Sequence, residues 1–301
     1  MALELRHLRY LLAVAEHAGF TRAAEELRIS QPTLSQQIKQ LEGMVGVQLL
    51  DRTGRGGVRL TDAGETYVQH ARRALRDLAA AERAVHDVAD LSRGHLRLAV
   101  TPTFTAYLVG PLAAELHARH PGITLDVKDM AQDRIEAGLL ADELDLGIAF
   151  VGPHLPGITA TPLYAETLSL VTAARPAADP QPPLPVADVA DRQLALLSGD
   201  FATRGHIDAY LADHRVRPRI AVEANSVQTL TEIVQRTDLA TVLPDAVTED
   251  HPHLAPVPLA PPLPTRTVAF LGREHAYRSF AAAAFIRLTR HHVRARGYTP
   301  A

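Results

Sequence analysis

Apolar side chains at Leu5, Leu8, Leu11, Leu12 and Ala15 fall on one face at helical spacing and predict an amphipathic helix over 3–17. Gly19 is expected to end it, and Thr21 to cap a second helix that buries Ala23, Ala24 and Leu27. After the turn Arg28-Ile29-Ser30, Ser30 caps a third helix. Pro32 stands in its first turn, where the missing N–H of proline costs nothing. Leu34, Ile38 and Leu41 give that helix its apolar face, and Gly43 and Gly46 interrupt the pattern. Residues 48–52 and 58–60 then read as two short strands around a glycine-rich loop at 53–57, the outline of a wing.

From Thr61 a long helix is expected, with Asp62 and Glu65 where the helix dipole favours acidic groups. Positions 68, 71, 75, 78, 82, 85 and 89 step in alternating threes and fours. Val68, Ala71, Leu75, Leu78, Val85 and Ala89 are apolar, and Glu82 alone breaks the seam. Such a seam predicts a helix pair between two copies of the chain; the alternative is one amphipathic helix packed on its own domain. Gly94 reads as the end of this helix. Strand and helix signals alternate from there: strand 95–100, helix 103–119, strand 123–129, helix 132–141 and strand 144–150. Strands 167–173 and 193–197 follow, then helix 203–214, strand 219–223, helix 226–237 and strand 239–243. Proline-rich runs at 175–185 and 251–264 read as connections, and a strand over 266–272 and a helix over 277–295 close the chain. The alternation predicts an α/β class, mostly parallel sheet covered by helices, in two lobes joined by two crossing strands.

Composition narrows the options. The 301 residues are 47% hydrophobic and 22% charged, which excludes a disordered chain and allows more than one core. Cysteine is absent, so disulfides and thiolate metal sites are excluded and no cofactor is expected. Charges at Glu4, Arg6, His7 and Arg9 do not suit an export signal, and no apolar run is long enough to span a membrane. A cytoplasmic location is expected. The net charge of −3 argues against a non-specific nucleic-acid coat, so any DNA contact must rest on a local face.

The third helix offers such a face. Gln31, Pro32, Thr33, Ser35, Gln36 and Lys39 line its exposed N-terminal part, and glutamine can pair bidentately with adenine in the major groove. Lys39 can reach phosphate. Arg52 and Arg55 flank the wing tip, with Arg59 on the return strand, where a thin basic loop suits backbone or minor-groove contact. The alternative for each is an ordinary solvated surface.

The run SQPTLSQQIKQLEGMVGVQLLDR, followed by LTDAG, resembles the N-terminal module of LysR-type transcriptional regulators, and the likeness extends along the chain. Leu50 departs from it, since the family usually carries phenylalanine there. The resemblance implies a winged helix-turn-helix over 1–64 and a dimerising linker helix over 65–93. It implies an effector-binding domain of the periplasmic-binding-protein type over 94–301, with lobe I as 94–164 and 266–301 and lobe II as 165–265. It further implies an activator that binds double-stranded promoter DNA as a homodimer or homotetramer, with RNA polymerase as a further partner. The runs ITLDVKDMAQDRIEAGLLADELDLGIAF, LLSGDFATR and EANSV are similar to cyanate-responsive members, which implies cyanate as the inducer.

In open α/β sheets ligands bind at the carboxyl ends of strands. The first strand of the second part ends at Val100, and Thr101 and Thr103 open the next helix with hydroxyls and a dipole suited to a small anion; plain capping is the alternative. The family cleft lies between the lobes, and its positions map onto Gln132, Ser198, Phe201 and Asn225. His251 and His253 lack further ligands for a metal, and no catalytic motif or positioned base is visible. The rival reading is a small-solute receptor or enzyme with an accessory N-terminal domain.

Overall fold

The computed structural model describes residues 3–52, 57–89, 94–174 and 182–300. The chain divides into two compact units, 1–85 and 86–301.

The first unit holds α1 (Leu5–His17), α2 (Phe20–Glu26), α3 (Gln31–Val45), a two-stranded wing of β1 (Leu50–Asp51) and β2 (Arg59–Leu60), and α4 (Asp62–Ala89). Leu11, Val14, Ala23, Ala24, Leu34, Ile38, Leu41, Leu49 and Leu50 form its core. Leu50 is buried, so leucine fills the place where phenylalanine is usual. Ser30 caps α3 as expected, its hydroxyl accepting from the Thr33 N–H at 3.3 Å. The first turn differs from expectation. Ala18, not Gly19, ends α1 in a left-handed conformation, and Gly19 is the extended residue before α2, which leaves Thr21 inside the first turn. The wing explains this: the Val58 N–H donates to the Ala18 carbonyl at 3.1 Å and fixes that residue. Gly57, at φ +104°, brings the wing in so closely that a Cβ would lie 3.0 Å from the same carbonyl oxygen.

The start of α4 is equally tight. Thr61 Oγ1 accepts from the Gly64 N–H at 3.0 Å, and a Cβ on Gly64 would stand 2.0 Å from the Leu49 carbonyl oxygen. Val68 and Ala71, expected in the intermolecular seam, are buried within this unit; Val68 joins its core. Leu78 and Val85 are 42% and 68% exposed, so the apolar seam is free only farther along the helix. The side chains of Glu82 and Ala89 in that series, and the wing tip with Arg55, lie outside the described residues.

The second unit opens with β3 (Gly94–Val100), so Gly94 begins a strand and does not end the helix. There follow α5 (Val109–Arg119), β4 (Ile123–Asp129), α6 (Gln132–Leu140), β5 (Leu146–Phe150) and β6 (Ile158–Glu166). The chain then crosses to β7 (Leu168–Ala173), β8 (Leu184–Pro185), β9 (Gln193–Leu197), α7 (Ala202–Asp213), β10 (Arg219–Ala224), α8 (Val227–Arg236), β11 (Thr241–Pro244), α9 (Asp245–Glu249), β12 (Leu254–Val257) and β13 (Leu259–Ala260). It returns through β14 (Arg266–Arg273) and α10 (Phe280–Ala295). Lobe I is a five-stranded sheet in the order β4-β3-β5-β14-β6. β3 runs parallel to β4 and β5, whereas β14 is antiparallel to both its neighbours. Leu96, Leu98, Ile148 and Phe150 pack on the side shared with residues of α5 and α10; Ala99, Ala149 and Ala269 pack against Ile135 and Leu139 of α6. In lobe II, β7 lies between β11 and β12, and β9 pairs parallel with β10.

Further elements correct the sequence reading, and the 251–264 run expected as a connection carries β12 and β13. The helix expected over 103–119 is broken: Pro102–Ala106 form a tight 3-10 turn, and α5 starts only at Val109. Pro102 favours that start, and Thr105 turns its hydroxyl back to the Pro102 carbonyl at 2.5 Å instead of letting the helix run on. The strand β6 was not expected. Its sequence ITATPLYAE carries Pro162 beside a register shift against β14, an irregularity tolerated at a sheet edge.

Candidate DNA-reading surface and effector cleft

Gln31, Pro32, Thr33, Gln36 and Lys39 are exposed on α3 and Ser35 is half-buried, while Leu34, Ile38 and Leu41 anchor the opposite face. What holds this helix to the wing was missed in the sequence. Glu42, at its C-terminal end, accepts the Leu49 and Leu50 N–H groups on Oε1 at 3.0 and 3.1 Å, and its Oε2 accepts from Arg52 at 2.9 Å. The Arg52 guanidinium also lies 5.1 Å from the centre of the Phe20 ring. Arg52, expected at the DNA backbone, is therefore held within the unit by Glu42 and Phe20. The signal that could have found this was a lone acidic residue eight positions before the first wing strand.

In the second unit, Thr101 and Thr103 stand at the carboxyl end of β3, both buried, and neither hydroxyl has a hydrogen-bond partner. An unmade bond of this kind costs about 1–3 kcal/mol. The helix-dipole argument for an anion does not survive, because the segment is a five-residue 3-10 turn and the Thr101 N–H already donates to the Ile148 carbonyl at 3.1 Å. Gln132 is largely committed. Its Nε2 donates to the Phe150 carbonyl at 3.2 Å and to Glu136 at 3.3 Å, and its Oε1 accepts the Phe150 N–H at 3.1 Å. In lobe II, Ser198 donates to Asp200 at 2.6 Å, Phe201 is buried, and Asn225 is exposed beside Ser226, which caps α8. α8 packs against the 102–106 turn, and Phe104, Phe201, Val227 and Leu230 share one core, so the segments holding Thr103, Phe201 and Asn225 meet around the same cluster.

Three further groups adjoin these segments. Glu136 accepts from His154 Nδ1 and from the Leu155 N–H, both at 2.8 Å. Burial pushes its carboxyl up, but the bonds from His154, Leu155 and Gln132 outweigh it and hold Glu136 below the usual carboxylate range. Burial pushes Asp129, beside Thr105, upward. Tyr107 and Tyr164 are linked at 2.6 Å, and Tyr107 donates to Glu166 at 2.5 Å. Burial above all, with the Glu166 charge added, lifts both phenols well above their ordinary range, so both stay protonated at neutral pH. None of Tyr107, Glu166, His154 or Glu136 stood out in the sequence. His251 turns Nδ1 to the Val247 carbonyl at 2.7 Å, and among the described residues no group of three or more His, Cys, Asp or Glu is placed to hold a metal ion. Among those residues no helix is long and apolar enough to cross a membrane.

Comparison with known proteins fits these two units. The model of bacterial regulatory helix-turn-helix proteins of the lysR family matches residues 5–65, and that of the LysR substrate binding domain matches residues 89–294. The nitrogen assimilation regulatory protein nac of Klebsiella aerogenes is 32% identical over 245 residues, 81% of this chain and 79% of its own. The DNA-binding transcriptional dual regulator OxyR of Escherichia coli is 30% identical over 275 residues, 90% of each chain. The solved structure of a full-length OxyR variant from Pseudomonas aeruginosa superposes with a TM-score of 0.65 at 25% identity, covering 98% of this chain and 95% of that one. The chain belongs to the LysR family of DNA-binding transcriptional regulators and is not an enzyme.

Proposed function

We propose that this regulator reads promoter DNA through the α3 edge from Gln31 to Lys39 and is gated by a small ligand held between the two lobes of its sensing domain. The carrying observation is the polar, exposed edge of α3, backed by an apolar face and tied to the wing through Glu42. Gln31, Thr33, Ser35 and Gln36 address base edges, Pro32 sets the entry turn, and Lys39 and Arg55 address phosphate. Arg52 serves mainly to hold the wing.

Residues 1–64 would read DNA, 65–93 pair two copies, and 94–301 sense the ligand. Leu78 and Val85, apolar and exposed on α4, support pairing into a homodimer, from which a tetramer can be built. Thr101 and Thr103, buried with unpartnered hydroxyls, support an effector site completed by Phe201, Ser198, Asn225 and Gln132. Without cysteine, thiol oxidation is not a route to regulation, which favours a non-covalent effector. Cyanate is the first candidate, on the likeness of the sensing segments to the cyanate operon activator CynR; the role would be that of a cytoplasmic activator acting with RNA polymerase. The ligand shifts the lobe equilibrium by no more than its difference in affinity for the two states.

Titrating the protein with labelled promoter fragments across a salt series tests the DNA reading. Sequence-selective binding that weakens steadily with salt is expected, and equal affinity for scrambled duplex refutes it. A thermal-shift screen of small anions, cyanate among them, tests the effector reading.

A further inference from the structure

The most deeply buried arginine–carboxylate pair among the described residues lies where the chain passes between lobes. Glu166 ends β6 just before the chain leaves lobe I, and Arg266 begins β14 as it returns. The two residues are register partners in the sheet, with side chains 2% and 9% exposed, and Arg266 Nε donates to Glu166 Oε2 at 2.5 Å. Each has a second arm. Glu166 Oε1 accepts a hydrogen bond from the Tyr107 hydroxyl at 2.5 Å, which leaves the Tyr107 oxygen to accept from Tyr164. Arg266 Nη2 donates to Thr203 Oγ1 at 2.9 Å, while its guanidinium lies 3.8 Å from the centre of the Phe150 ring, which itself packs 5.2 Å from Phe104.

The ends of this chain of bonds are informative. Tyr107 closes the turn that carries Thr101 and Thr103. Thr203, itself buried, sits in the first turn of α7, immediately after Ser198 and Phe201. The strand pairing of β6 with β14 already fixes the sheet, and a buried ion pair is at best a weak source of stability compared with apolar packing. What the pair adds is a directional run of bonds joining Tyr107 to Thr203 through Glu166 and Arg266.

We propose that Tyr107, Glu166, Arg266 and Thr203 form a hinge relay coupling the ligand-facing turn of lobe I to the ligand-facing segment of lobe II, so that ordering one orders the other. Arg266 is a positioning residue in this scheme and touches no ligand. The regulatory meaning of the relay rests on the interlobe effector reading given above; the coupling itself does not.

Hydrogen exchange read by mass spectrometry on the full chain, with neither DNA nor ligand present, tests it with two mild variants. Thr203→Val removes an acceptor in lobe II and should speed exchange of the 103–108 amides in lobe I by about tenfold, the scale of one lost bond to a charged group. Tyr107→Phe should reciprocally speed exchange at 203–206, and the two substitutions together should be non-additive. Ile207→Val, on α7 but in the other core, should leave 103–108 unchanged. If each variant loosens only its own lobe, or the pair is additive, the relay is overturned, whatever the anion screen returns. A screen without any binding ligand removes the effector reading and leaves this result intact.

Discussion

Glu42→Ala should detach the wing from the helix that reads DNA. The carboxylate accepts the Leu49 and Leu50 N–H groups at 3.0 and 3.1 Å and the Arg52 guanidinium at 2.9 Å. Alanine leaves two backbone donors without an acceptor beside side chains that are fully buried, and each such loss costs about 1–3 kcal/mol. Water reaches the site in part, since the Glu42 side chain is 12% exposed, and the partly exposed Arg52 contact adds at most about 1 kcal/mol. The sum is roughly 2–4 kcal/mol. In a unit of this size each kcal/mol moves Tm by about 4–8 °C, so the N-terminal transition should fall by roughly 8–32 °C. Differential scanning calorimetry of the full chain reads this directly, because the sensing unit makes none of these bonds and its transition should stay in place. Glu42→Gln keeps a carbonyl acceptor for the backbone and should fall by less. A Glu42→Ala transition within about 2 °C of the parent would refute the reasoning, for the carboxylate would then be replaceable by solvent.

Gln36→Ala should relax base preference at one position of the site while changing overall affinity little; a site-library selection that returns an unaltered preference excludes Gln36 from base contact. Lys39→Ala should weaken all duplexes alike and lower the slope of log affinity against log salt by about one. Thr101→Val replaces an unpartnered buried hydroxyl with an apolar group of like shape, so the free protein should be no less stable, yet calorimetry with cyanate, the proposed effector, should show weaker binding than in the parent. For pH, Glu136 titrates below its ordinary range when folded, so the stability it contributes is present above that range and is lost as pH falls through the folded value. Glu136→Gln should therefore flatten the acid limb of the sensing unit's stability curve, and an unchanged limb in an acid titration followed by circular dichroism counts against that assignment.

The parts of the fold legible in the sequence are those written in local spacing. Ser30 and Pro32 at the head of α3, its i, i+4, i+7 apolar face, and the apolar strands β3 and β5 announce themselves within a few residues. The parts that escaped depend on distant partners. β6 alternates weakly and contains proline, and only pairing with β14 makes it a strand. Tyr107, after the 102–106 turn, finds its acceptor in Glu166, 59 positions on, and Glu166 is balanced by Arg266, 100 positions later. Of the candidate site residues, Thr101 and Thr103 were readable as hydroxyls at a strand end, but their lack of partners is a property of the packing. Gln132 and Arg52 read as free donors, and the structure spends both on the protein itself.

The tight start of α4 has a mechanical corollary. Gly64 leaves no room between the helix and the Leu49 carbonyl, and Val68 and Ala71 are buried in the same unit, so the reading head and the helix move as one piece. The 28 residues of α4 span about 42 Å. A tilt of about 5° over that length displaces the head by roughly 4 Å, close to the rise of one base-pair step. A small angular change at the far end would therefore be magnified at the head to about the length of one such step, and the close approach at Gly64 is what would carry it there without slack.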